Sequence, residues 1–273
     1  MTSLKERDTT ADLMLPSQTE TAEATLLSAF FFGLDDGLLR VANLICSGAF
    51  GQDGMPVIFS TEVDPATMQS GDFQVTTRSG RIGTVHCVSF LPATDAGELR
   101  TVLLVGDFGD AESDPPERVD IVGHIHSLDG TLDFQGASLA ATPLVEGPTM
   151  IMAELITDDM ADLDLGLRRT RGTACPDDGV VQAIRVVWAG GVTLENGDEP
   201  TEAERDLYSV TLRGSDGELQ TVTPVPLADL GDGDNNHVLC LATDGDPVSV
   251  SFPAGVLTDP NDDLNPATTI GFE

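Results

Sequence analysis

The sequence predicts an all-β chain in which one strand-built sandwich is followed by a second of the same plan. Three observations predict it. Turn residues recur about every eight to twelve positions, the segments between them alternate or run apolar, and the order of features in the first half returns in the second.

The segments 56–60, 72–77, 100–105, 181–188, 207–212 and 247–252 are rich in Val, Leu, Ile, Thr and Phe and read as strands. The runs 82–90 and 119–128 read the same way. Residues 149–155 form a further strand that could belong to either half. Helix is expected only as a short piece over 201–206.

The duplication is carried by ordered correspondences. Val57-Ile58-Phe59 follows Cys46 by eleven residues, and Val186-Val187-Trp188 follows Cys175 by eleven. Asp72 to Gly80 matches Asp206 to Gly214, and Thr84-Val85 matches Thr221-Val222. Thr101-Val102-Leu103 then answers to His237-Val238-Leu239, and Arg118 to Gly123 answers to Pro247 to Phe252.

The repeated unit contains Val57-Ile-Phe-Ser-Thr-Glu-Val-Asp-Pro-Ala-Thr67, then Gly71-Asp-Phe-Gln-Val-Thr76, then Leu99-Arg-Thr-Val-Leu-Leu104. In these stretches it resembles bacterial immunoglobulin-like domains of the surface-layer and copper-resistance type. The resemblance spans residues 40–145 and, more loosely, 172–270. The second half departs from it by carrying an acidic loop, Leu194 to Glu204, in place of Val-Asp-Pro-Ala-Thr. It implies an all-β fold of two tandem immunoglobulin-like β-sandwiches. The expected organisation is a disordered leader over 1–25, one sandwich over 26–147 and a second over 148–273, with the linker near Pro143 to Pro148.

Composition narrows the function classes. The 273 residues carry a formal net charge of −33, with 46 acidic against 13 basic side chains. Lys5 is the sole lysine, and Asp outnumbers Glu about two to one. Such a surface repels nucleic-acid backbones and anionic lipids, which are bound through Lys and Arg displacing counterions. Expected partners are therefore cations, a small molecule or a protein surface, with no nucleic acid and no membrane insertion. The bias fits a saline setting, where screening weakens self-repulsion, and equally an extracellular product of a high-GC genome. The longest apolar run, Leu26 to Leu34, is too short to span a bilayer and lacks the flanks of a signal peptide. An extracellular or periplasmic location is nonetheless expected from the cysteines.

Each half holds one cysteine pair, Cys46 with Cys87 and Cys175 with Cys240, and none has C-x-x-C spacing. Disulfides would close loops of about 40 and 65 residues, each worth ~3–4 kcal/mol by loop entropy. The competing reading is four buried, reduced thiols.

Two aspartate-rich turns place side-chain oxygens at alternate positions: Asp232, Asp234 and Asn236, and then Asp259, Asn261 and Asp263. Calcium takes six to eight hard oxygens, and D-x-[DN]-x-[DN] supplies three. Neither stretch continues as an EF-hand. The alternative is a pair of solvated turns closed by Asx-type backbone bonds.

The four histidines are His86, His124, His126 and His237. Strand alternation sends Val119, Ile121 and Ile125 to one face and Asp120, Val122, His124 and His126 to the other. With His86 from a neighbouring strand, the imidazoles could hold Zn²⁺ or another divalent transition metal with an open position. Asp120 would then orient an imidazole or act as base in a metal-dependent ester or phosphoester hydrolase. The plainer reading is a set of surface histidines. His237, beside Asn235 and Asn236, could belong to a loop site in the second half.

No nucleophile elbow, P-loop, dinucleotide fingerprint or zincin motif is present. The sequence therefore points first to a non-enzymatic binding or structural module, with Ca²⁺ as a possible stabiliser, and second to the metal hydrolase.

Overall fold

The structure, a computed structural model, describes residues 23–33, 51–156, 175–176, 178–228 and 233–272. The strands pair antiparallel into four sheets. Only one short α-helix, Glu202–Arg205, is found among the described residues. It lies where the sequence placed it and is closed by a capping box. The Thr201 N–H donates to Glu204 Oε2 at 2.6 Å, and Ala203 N–H donates to Thr201 Oγ1 at 3.3 Å.

In the first half, β1 (Leu26–Ala29), β3 (Asp53–Phe59), β6 (Thr101–Asp107) and β5 (Thr84–Ser89) lie side by side, and β2 (Phe32–Gly33) also pairs with β3. A smaller sheet has the order β4 (Phe73–Thr77), β7 (Pro116–Ile121), β8 (Ser138–Ala140). The two sheets share one core. Met55, Val57, Phe59, Val102 and Leu104 from the larger meet Phe73, Val75, Val119 and Ile121 from the smaller. Phe59 stacks edge-on against Phe134, with ring centroids 4.9 Å apart.

The second half has the same order. Strands β9 (Met150–Leu155), β10 (Gln182–Trp188), β14 (Asn236–Leu241) and β13 (Leu227–Ala228) repeat the sequence β1-β3-β6-β5. Strands β11 (Ser209–Arg213), β15 (Asp246–Phe252) and β16 (Thr268–Gly271) repeat β4-β7-β8, and β12 (Leu219–Val222) adds to the free side of β11. Ile184, Val186, Trp188, Leu239 and Leu241 face Val210, Leu212, Val250 and Phe252 across the second core, and Tyr208 fills it beside Trp188. Strand β9 pairs with β10, so the strand of residues 149–155 hydrogen-bonds within the second half.

Two details differ from the sequence reading. Thr221-Val222 sits in β12 and Thr84-Val85 in β5, which belong to non-equivalent sheets. The matching feature of β12 is the isolated bridge between Thr76 and Ile82. Strand β7 also ends at Ile121, short of the expected Leu128. The N–H groups of Val122 and Gly123 both turn to the carbonyl of Asp72. A Cβ on Gly123 would lie 1.9 Å from the Asp72 carboxylate, so the close approach requires glycine.

The halves touch through the outer faces of the β1-β3-β6-β5 and β9-β10-β14-β13 sheets. Phe30, Val105 and Ala189 form a small buried cluster ringed by Leu103, Leu144 and Ile151. The Ser28 hydroxyl donates to the carbonyl of Ala189 at 3.2 Å. Of the expected leader, residues 1–22 lie outside the described residues. Thr25 already accepts from the Ser60 N–H at 2.9 Å.

Candidate functional site

His124 and His126 stand together. Ile125 between them is fully buried and anchors the segment in the first core. The His126 backbone is held on three sides. Its N–H donates to Thr67 Oγ1 at 3.1 Å, its carbonyl accepts from Asp64 at 2.9 Å, and it bridges to Asp133. The two imidazoles are nearly parallel, 14° apart with centroids at 6.4 Å. The His124 side chain is 66% exposed, and its Nδ1 lies 2.7 Å from Asp133 Oδ2.

Asp133, missed by the sequence reading, is the carboxylate that serves this pair. Its hydrogen bond to His124 and the Gln135 N–H on Oδ1 at 3.0 Å hold its carboxyl below the usual range. It is therefore ionised at neutral pH and accepts a hydrogen bond from His124 Nδ1–H. Asp120 is engaged elsewhere, by Arg118 Nε at 2.9 Å and the Ser138 hydroxyl at 2.7 Å. His86 occupies the bulge of β5 where Val85 pairs with Gly106 and Cys87 with Val105. That strand belongs to the opposite sheet from β7, and the charged neighbour that senses His86 is Asp107. Among the described residues, no three His, Cys, Asp or Glu side chains gather as a group able to hold a metal ion.

The aspartate turns are closed by their own backbone. Asp259, 1% exposed, accepts on Oδ1 from the N–H groups of Asn261 at 2.9 Å and Asp263 at 3.0 Å. Burial raises the Asp259 carboxyl above its ordinary value despite these bonds. Asp234 accepts from Asn236 N–H at 2.7 Å and from its amide Nδ2 at 3.0 Å. Asp232 lies outside the described residues.

His237 is a core residue on β14. Trp188 Nε1–H donates to Tyr208 Oη at 3.2 Å, and Tyr208 Oη and His237 Nδ1 share a further hydrogen bond of 2.5 Å. Burial pushes the His237 imidazole down to about 4, so it is neutral at pH 7.

The disulfide Cys175–Cys240 is present, with Cα atoms 5.7 Å apart. Cys240 packs with Ala228 and Val238 on the outer side of its sheet, away from the second core. Cys46, the expected partner of Cys87, lies outside the described residues.

No protein-family model matches the chain, and no curated protein is significantly similar to it.

A second polar arrangement, also missed from sequence, joins the halves. Glu154 on β9 accepts from Arg100 of the first half through both carboxylate oxygens, each at 3.1 Å. It also accepts from Arg185 on β10 at 3.0 Å. The Arg185 guanidinium reaches on to the carbonyl of Ala96. Gly97, with φ of +89°, lies so close beneath Arg185 that a Cβ would overlap the guanidinium. Arg100 and Arg185 side chains are 4% and 6% exposed. Burial works against the charge of Arg100 and Glu154 favours it, with a net lowering of its pKa.

Proposed function

We propose that the chain is a non-enzymatic extracellular or periplasmic module of two tandem immunoglobulin-like sandwiches, welded into one rigid body that presents an acidic surface to its partners. The strand orders support the sandwich assignment. Orders β1-β3-β6-β5 and β9-β10-β14-β13 correspond to the ABED sheet of such domains, and β4-β7-β8 and β11-β15-β16 to the CFG sheet. The disulfide supports an oxidising compartment. No helix among the described residues is long and apolar enough to cross a membrane.

The observation that carries the reading is the Arg100–Glu154–Arg185 cluster. Linked domains move relative to one another by default unless their contact is large or specific. Here two arginines from different halves converge on one carboxylate and are sealed from water, which makes other arrangements cost the desolvation of unpaired charge. With a charge of −33, the surface selects cations, small ligands or basic protein surfaces. The hydrolase alternative requires His86 beside His124 and His126, and no observation favours it.

Small-angle scattering of the full chain at low and high salt tests the reading. One fixed arrangement should fit both curves. Curves that need a spread of inter-domain distances would remove the rigid module.

A further inference from the structure

We propose that His124 and His126 form a two-nitrogen chelate for a divalent transition-metal ion of the zinc class, with Asp133 as the positioning carboxylate. The site is open: two protein nitrogens and solvent complete it.

Three features of the geometry carry this. The imidazoles leave a fixed backbone two residues apart, with Ile125 buried between them, so both rings emerge on the same side. As placed the rings are stacked, 14° apart with centroids at 6.4 Å, so a shared ion requires His126 to turn about its side-chain bonds while His124 keeps its contact with Asp133. A shared ion needs each nitrogen at about 2.0–2.1 Å. The contact from His124 Nδ1 to the Asp133 carboxylate, which can only accept once ionised, leaves Nε2 as the nitrogen an ion would take. A carboxylate on the far nitrogen of a ligating imidazole also raises its basicity, and this pairing is the usual outer shell of histidine metal sites.

The acidic surface sets the selectivity problem. Hard cations such as Mg²⁺ prefer the many carboxylates, whereas imidazole nitrogen favours borderline ions. Excess Mg²⁺ therefore masks the background without competing for the histidine pair.

Calorimetric titration of the full chain with Zn²⁺, in excess Mg²⁺ and moderate salt, tests the proposal. One ion should bind per chain. His124→Ala and His126→Ala should each weaken binding at least about tenfold, and Asp133→Asn about tenfold, in line with the cost of removing an outer-shell partner. His86→Ala should leave it unchanged. A histidine-detected NMR titration of the wild type, which needs no variant, should shift His124 and His126 alone at the first equivalent. Absence of saturable binding, full affinity in either alanine variant, or loss on His86→Ala would overturn the assignment.

Discussion

One terminal nitrogen of Arg100 donates to both oxygens of Glu154, each at 3.1 Å, across the boundary between the two halves of the chain. Because Arg185 uses the same carboxylate, Glu154 is shared between two buried cations, and Glu62 adds a further favourable charge for Arg100. The outer faces of the β1-β3-β6-β5 and β9-β10-β14-β13 sheets are therefore joined by charge as well as by the small apolar cluster around Phe30.

Glu154→Gln removes the carboxylate that Arg100 and Arg185 share and leaves Arg185 without its ion-pair partner. Removing one partner of a buried ion pair costs about 3–5 kcal/mol, and partial exposure of Glu154 puts the expected loss at the lower end. Urea denaturation should show a lower midpoint and a shallower transition, because the two halves no longer unfold as one unit.

Burial of His237 gives a defined pH signature. Its folded value of about 4 lies below the ordinary 6.5, so the unfolded chain binds more protons between those limits. This contribution to stability is complete above pH 6.5 and is lost as pH falls toward 4, amounting to ~3 kcal/mol. Melting curves of the wild type should fall through that window, and His237→Gln should flatten it. The carboxylates held low by hydrogen bonds, among them Asp110 and Asp114, act only at still lower pH.

The strands and their repeat were legible because β-branched and aromatic residues alternate there, and alternation depends only on neighbours along the chain. His124 and His126 were legible for the same reason. Asp133 was not, because it meets them through the turn built by Ser127, Asp129 and Thr131, whose geometry depends on side-chain bonds to Asp129. The end of β7 was hidden too, since it depends on the distant carbonyl of Asp72. Arg185 sits in the alternation at a position that reads as solvent-facing. It is buried by the docking of the first half, which brings the Ala96 carbonyl to it, beside Glu154 of its own half.

The disulfide Cys175–Cys240 spans 65 residues. Cys240→Ser should lower stability by ~3–4 kcal/mol, and reductant should lower the melting midpoint of the wild type.

The aspartate turns supply backbone closure. Asp259→Ala removes two buried acceptor bonds to Asn261 and Asp263 and should cost roughly 1–3 kcal/mol. The cost should be the same with and without a calcium chelator, measured by thermal melting.

Calorimetric melting of the intact wild type beside Glu154→Gln bears most directly on the proposal that the two halves are sandwiches welded into one body. One cooperative transition is expected for the wild type, separating into two when Glu154 is changed. Two independent transitions in the wild type, or an unaltered single transition in Glu154→Gln, would contradict the account.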